Sequence, residues 1–267
     1  MTTRSRIFQV DAFATRRFAG NPAAVMLLAA YPPDEVLHAL AAENNLSETA
    51  FLVPEGRDYR LRWFTPRVEV PLCGHATLAS AAVVMERLEP GREVVVFHTA
   101  SGPLTVSRAD GGYVMDFPAR SLKPVEAPEG LAAALGVEPL EVVWDGGNYL
   151  ARLAAPAQVR ALTPDLATVA KLDCGGVIVT AEDTGEEGGE HDFVSRYFAP
   201  AKGVPEDPVT GGAHCGLAPF WAARLGRTEF RAFQASRRGG EIVCRLKGER
   251  VELEGACVFY LEGEAVF

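Results

Sequence analysis

The sequence predicts an α+β chain of two pseudo-repeated lobes, each a curved, mostly antiparallel sheet wrapped around a central helix. Three observations carry that expectation. Short runs rich in Val, Phe and Tyr, bounded by Gly, Pro or Asp, recur along the whole chain and read as strands. Two longer stretches, residues 77–88 and 216–225, are apolar on nearly every face, the pattern of a helix buried all round. Each of the two follows a similar short motif, and the motifs start 134 residues apart.

The strand runs fall at residues 7–12, 23–28, 49–53, 59–64, 93–99, 103–107 and 113–116 in the first half. The second half offers 141–144, 149–153, 176–180, 192–198, 229–234, 241–246 and 251–255. Residues 33–43 read as a surface helix, with Pro-Pro-Asp at the start and Val36, Leu37 and Leu40 at helical spacing. Shorter helices are expected at 129–135, 157–161 and 166–172. The stretch 181–191, A-E-D-T-G-E-E-G-G-E-H, reads as a solvated loop between strands. The expected lobes are residues 1–118, completed by a C-terminal strand at 258–267, and residues 119–257.

Composition bounds the function. The chain has 267 residues, 48% of them hydrophobic and 23% charged, enough for a substantial core in one large domain or two of roughly 130 residues. A net charge of −9 disfavours nucleic acid or an anionic membrane surface as the main partner. It does not disfavour a small anionic substrate, because a local pocket can oppose the global sign. No apolar run approaches the roughly 20 residues of a membrane helix. The start, MTTRSRIFQVDAF, lacks the apolar core of a signal peptide. Cys73, Cys174, Cys215, Cys244 and Cys257 are scattered and form no CxxC pair, which argues against a disulfide framework or a zinc ribbon. The cytoplasm is the expected compartment.

The repeat locates the candidate chemistry. Residues 64–76 read F-T-P-R-V-E-V-P-L-C-G-H-A, and residues 198–213 read F-A-P-A-K-G-V-P-E-D-P-V-T-G-G-A. Both give Phe-x-Pro, a loop, then a polar residue, Gly, any residue and Ala before the apolar helix. A weaker echo pairs Gly20-Asn21 with Gly147-Asn148. Helices placed in this way would start at a cleft between the lobes and present unpaired backbone N–H groups there.

Several residues at these positions stand open to two readings. Glu48, in N-L-S-E-T-A-F, is either an exposed turn residue or a carboxyl held at an element boundary for acid/base work. Cys73-Gly74-His75 opens the first apolar helix. Its glycine permits close backbone approach, and the following N–H groups suit a carboxylate. His75 is either a helix cap or a hydrogen-bonding imidazole in a site, and Cys73 either a thiolate or a small buried residue. Asp207 is either a turn aspartate between Pro205 and Pro208 or the partner of His75 across the cleft, with Thr210-Gly211-Gly212 as a second anion-binding turn. His214 and Cys215 read as packing residues. Cys73, His75, Asp207, His214 and Cys215 could be drawn as a zinc site, but C-x-H and H-C match no common ligand spacing. Neither GxGxxG with a following acidic residue nor a Walker motif is present. No metal and no nucleotide cofactor is expected.

At these residues the sequence resembles the PhzF family of phenazine-biosynthesis-like isomerases. The resemblance is carried by D-A-F-A (11–14) with G-N-P-A-A-V (20–25), N-L-S-E-T-A-F (45–51), F-T-P-x6-C-G-H-A-T-L-A (64–79) and Y-F-A-P-x4-P-E-D-P-V-T-G-G-A-H (197–214), and it spans essentially the whole chain. It implies the two-lobed fold shared with diaminopimelate epimerase and proline racemase. It implies Glu48 as the acid/base that removes a proton from one carbon and returns it to another. His75 and Asp207 match the polar partners that orient the substrate and assist that transfer. Ser47, Gly74, Gly211 and Gly212 match pocket positions. It also implies a small carboxylate substrate, in the manner of a dihydrohydroxyanthranilate-like cyclic acid, no cofactor and a homodimer.

One departure bears on mechanism. Epimerases of the related fold use two opposed cysteines, whereas here Cys73 stands at the first such position and Thr210 at the second. A hydroxyl cannot replace a thiol as an easily ionised base, so an isomerase is preferred to a two-thiol racemase. A one-thiol amino-acid epimerase using Cys73 and Glu48 stays open, as do a non-catalytic small-ligand-binding protein and a metal hydrolase.

Overall fold

The computed structural model describes residues 2–183 and 190–267. Part of the expected acidic loop, residues 184–189, lies outside the described residues. The chain divides into two compact units, one of residues up to Asp116 together with Glu254–Phe267, the other Phe117–Leu253.

In the first unit β1 (Arg4–Ala12), β2 (Asn21–Leu27), α1 (Asp34–Asn44), β3 (Glu48–Glu55), β4 (Asp58–Phe64), β5 (Glu69–Val70), α2 (Gly74–Val83), β6 (Val94–Thr99), β7 (Gly102–Ala109) and β8 (Gly112–Pro118) follow in order. The second unit runs through β9 (Lys123–Pro124), α3 (Leu131–Leu135), β10 (Glu141–Trp144), β11 (Tyr149–Arg152), α4 (Pro156–Ala161), α5 (Leu166–Val169), β12 (Val177–Glu182) and β13 (Phe193–Ala199). It continues with β14 (Val204–Asp207), α6 (Gly211–Leu225), β15 (Glu229–Gln234), β16 (Gly240–Lys247) and β17 (Arg250–Gly255). Finally β18 (Cys257–Val266) pairs antiparallel with β1 of the first unit.

The two units repeat one wiring. In the first, β1–β2 is antiparallel, β2–β3 parallel, β3–β4 and β4–β5 antiparallel, then α2 intervenes before β6 joins β4 in parallel and β7 joins β6 antiparallel. In the second, β10–β11, β11–β12, β12–β13, β13–β14, α6, β13–β15 and β15–β16 follow with the same senses in the same order. The Phe-x-Pro motif therefore marks the end of the same strand in each unit, β4 at Phe64 and β13 one residue after Phe198.

Each central helix begins earlier than its apolar run. α2 starts at Gly74 and α6 at Gly211, capped by the extended residues Cys73 and Thr210. Glycine is a poor helix former, so apolar periodicity underweights the opening turns. The first turn costs little there, because its N–H groups have no helical partner in any case. The final stretch of the first helix, Val84–Leu88, widens to π-helical bonding.

Strand alternation places the site. Met26, Phe51 and Phe64 face α1, where they pack with Leu37 and Ala41. Glu48, Ala50 and Leu52 therefore turn to the opposite face of β3, and α2 packs against β1, β2 and β3. α1 ends at Asn45, whose left-handed φ of 48° closes the helix and sends the chain into Glu48, the first residue of β3. None of the helices among the described residues is long and apolar enough to cross a membrane.

Candidate active site

In the first unit Glu48, Cys73 and His75 come together. His75 is buried in the first turn of α2, and its Nε2 lies 3.1 Å from Glu48 Oε2. That is ion-pair distance, but the alignment falls short of a hydrogen bond, and neither atom has a hydrogen-bond partner among the described residues. On the other edge of the ring, Nδ1 meets Asn21 Nδ2 at 3.1 Å and Cys73 Sγ at 3.5 Å. If Nδ1 accepts from the amide and the thiol, the ring proton sits on Nε2 and faces Glu48. A doubly protonated ring instead calls for the Asn21 carboxamide turned over to offer its oxygen, and Asn21 can serve either state. His75 is thus no helix cap, since α2 has no side-chain cap.

Electrostatics separates the two reactive groups. Burial pushes the Cys73 thiol up to about 11, the Glu48 charge adds to this, and His75 opposes it. At neutral pH Cys73 is therefore a protonated thiol. Burial pulls the imidazole's pKa down, but Cys73 and Glu48 outweigh it and hold His75 well above the ordinary 6.5. With the thiol neutral, the Glu48 carboxylate is the charge that does this near pH 7. Ser47 is half-buried immediately before Glu48, and Gly74 is half-buried between Cys73 and His75.

In the second unit the matching loop forms its own network. Thr210 Oγ1 donates to Asp207 Oδ2 at 2.5 Å. Gln234, buried at the end of β15, accepts from the Thr210 backbone N–H at 2.8 Å. It also donates to the Asp207 carbonyl at 2.8 Å and to Thr210 Oγ1 at 3.1 Å. Gly211 is buried and Gly212 exposed in the first turn of α6. His214 and Cys215 are buried in that helix. Burial drives His214 down to about 4, while the Thr210 carbonyl opposes this.

Two participants escaped the sequence reading. Asn21, fully buried against His75, follows Gly20, whose φ of +65° and contact with Ala12 exclude a side chain. The Gly-Asn echo marked the position but not its role. Gln234 carried no local signal, being one polar residue inside a strand pattern.

Glu48, Cys73 and His75 offer one ligand atom each within 4.8 Å, a set that could hold a metal ion. The carboxylate and the thiol address different ring nitrogens, however. An ion bound through one nitrogen would have only one of these two groups beside it, and the other would have to move to join as a ligand.

Two pseudo-repeated α+β lobes, each with an apolar central helix, are of the epimerase-like fold class. The family model described as phenazine biosynthesis-like protein, PhzC-PhzF, matches residues 10–266. The chain belongs to this family. A curated relative from Pseudomonas aeruginosa, named an uncharacterized isomerase, is 50% identical over 257 residues, covering 96% of this chain and 97% of the relative. The crystal structure of a PhzF-family phenazine biosynthesis protein from Enterococcus faecalis superposes with a TM-score of 0.93 at 42% identity, over 98% of this chain and 99% of that one. A hydroxyproline epimerase from Agrobacterium vitis shares the fold at 12% identity and a TM-score of 0.62, over 98% of this chain and 92% of that one. The chain is an isomerase of the PhzF family.

Proposed function

We propose that this isomerase moves a proton between carbons of a small carboxylate-bearing substrate without a cofactor, with Glu48 as the acid/base. The observation that carries the reading is the buried Glu48–His75 contact at 3.1 Å, with neither facing atom otherwise hydrogen-bonded. A proton can pass between such groups, and a carboxylate set against an imidazole can take a proton from one carbon and return one to another. His75, held by Asn21 and Cys73, fixes the direction in which Glu48 acts. The N–H groups of the α2 opening turn, at Gly74 and beyond, favour a substrate carboxylate and the negative charge that develops on proton removal.

On family resemblance alone, Asp207 is read as a polar partner of the substrate, and Thr210, Gly211 and Gly212 as binding positions. Ser47 lines the pocket beside Glu48. The working form is taken, on family resemblance, as a homodimer, which sedimentation equilibrium tests. Because the reading uses a proton where a hydrolase would use a metal, dialysis against EDTA is expected to leave turnover unchanged.

The direct test is Glu48→Gln, which keeps the shape and removes the base. Turnover is expected to fall by at least about 10³-fold, while ligand affinity changes little. Full activity in Glu48→Gln removes the mechanism. The one-thiol epimerase alternative predicts a comparable loss in Cys73→Ala. The protonated, buried thiol favours instead a modest effect, through the lost contact with His75.

A further inference from the structure

The second unit holds a polar cluster that the proton-transfer roles do not use. Asp145, its side chain fully buried after β10, accepts from the backbone N–H of Gly147 at 3.0 Å and of Asn148 at 2.7 Å. The Asn148 amide adds contacts to both carboxylate oxygens at 3.2 and 3.0 Å. Asp145 is thereby committed to its own turn and meets Arg120 Nη1 only at 3.5 Å. Tyr197 donates its hydroxyl proton to Asn148 Oδ1 at 3.0 Å and accepts from Lys202 Nζ at 3.2 Å.

Two cations are left with donors to spare. Among the described residues, the Arg120 guanidinium makes that one long contact, and the Lys202 ammonium makes one hydrogen bond, to a neutral phenol. Arg120 borders Gly147, and Lys202 borders Gly175, whose backbone N–H donates to the Gly147 carbonyl at 2.6 Å. A Cβ on Gly147 would lie 3.8 Å from Arg120 Nη1, and one on Gly175 would lie 2.7 Å from Lys202 Nζ and 3.0 Å from the Gly147 carbonyl. A Cβ on Gly212 would lie 3.7 Å from Arg120 Nη2, so the guanidinium also borders the first turn of α6. Partial burial, then the Arg120 charge, lowers the Lys202 pKa below 10.5, against Asp145, Cys174 and Asp207. Asp207 already takes the Thr210 hydroxyl.

We propose that Arg120 and Lys202 form an anion subsite in the second unit, which takes the carboxylate of a small monoanionic acid. Two cations stand against Asp145 in contact and Asp207 at longer range, so at most one positive charge is left over, which suits a carboxylate better than a phosphate dianion. Arg120 offers a planar donor fork and Lys202 a point charge, one for each carboxylate oxygen. The subsite deepens the isomerase reading by naming residues that select the substrate's charge. It rests on that reading only for the identity of the acid as substrate.

The test uses the intact protein with its lysines reductively ¹³C-methylated, which keeps their charge. The chain has four lysines, Lys123, Lys171, Lys202 and Lys247, so each gives a resolvable signal. The Lys202 signal, assigned by its loss in Lys202→Met, is expected to titrate below 10.5 and to move saturably with benzoate while the other three stay fixed. Arg120→Gln is expected to weaken benzoate about tenfold, the worth of one charge-assisted hydrogen bond. Calorimetry on Lys202→Met, a change at an exposed position, gives a second reading and should show a similar loss. A Lys202 signal that ignores benzoate, equal shifts at all four lysines, or unchanged affinity in both variants overturns the subsite. Inorganic phosphate binding more tightly than benzoate overturns the preference for a carboxylate. Glu48→Gln should bind benzoate as the parent does. If benzoate binds but Glu48-dependent proton transfer is absent, the subsite stands and the isomerase mechanism falls.

Discussion

At the level of single residues, the way His75 is held sets how Glu48 can act. Its Nδ1 edge is fixed by Asn21 and Cys73, and its Nε2 edge faces Glu48. Asn21→Ala should leave the fold intact and lower kcat/KM by about 10- to 100-fold, the worth of a hydrogen bond to a charged group. It should also displace the pH–rate profile, since the ring's protonation is tied to that amide; a profile that stays in place argues against this role. Glu48, His75 and Cys73 stood out in the sequence because each sits at an element boundary, and the family resemblance, not position, chose between their two readings. The 3.1 Å contact did not stand out, since it joins positions 27 residues apart through a strand face and a helix turn. Asn21 and Gln234 were hidden for a similar reason: a buried amide earns its place from partners remote in sequence.

At the scale of elements, the strands and the two apolar helices were legible because period-two and all-apolar patterns are local. Helix starts were not, because Gly74 and Gly211 look like breakers until the N-terminal turn is seen to need nothing better. The short pairings β5, β9 and β14 were also missed, for two to four residues carry no periodicity. The turn between β1 and β2 gives a sharp prediction. Gly20 has φ of +65°, and a Cβ there would lie 2.2 Å from the Ala12 carbonyl oxygen. Gly20→Ala should cost about 1–3 kcal/mol from backbone strain alone, before the clash is relieved. Urea unfolding measures the loss. Because Asn21 is the next residue, turnover should fall in the folded protein as well; a stable, fully active Gly20→Ala variant would contradict the placement.

At the scale of the molecule, the duplicated wiring explains why one motif occurs twice while the chemistry does not. The same strand–loop–helix step delivers Cys73-Gly74-His75 in one unit and Thr210-Gly211-Gly212 in the other. The two buried histidines then shape stability against pH in opposite ways. His214 falls to about 4 when folded, so the unfolded chain binds its proton first as pH drops. Stability tied to it is intact above 6.5 and is lost between 6.5 and 4, amounting to about 3 kcal/mol. His75 is raised, so its contribution is full below 6.5 and fades as pH rises through the higher folded value. Urea midpoints across pH should lose their acid-side slope in His214→Leu and their alkaline-side fall in His75→Gln. Unchanged slopes would mean that neither histidine titrates as its surroundings dictate.

In the proposed reaction Glu48 removes a proton from one carbon and returns one to another. Mass spectrometry of candidate small acids incubated in D2O measures that transfer whatever the product is. The account predicts that an accepted acid gains one deuterium at carbon with the parent protein and none with Glu48→Gln. Deuterium entering equally with both proteins would contradict it.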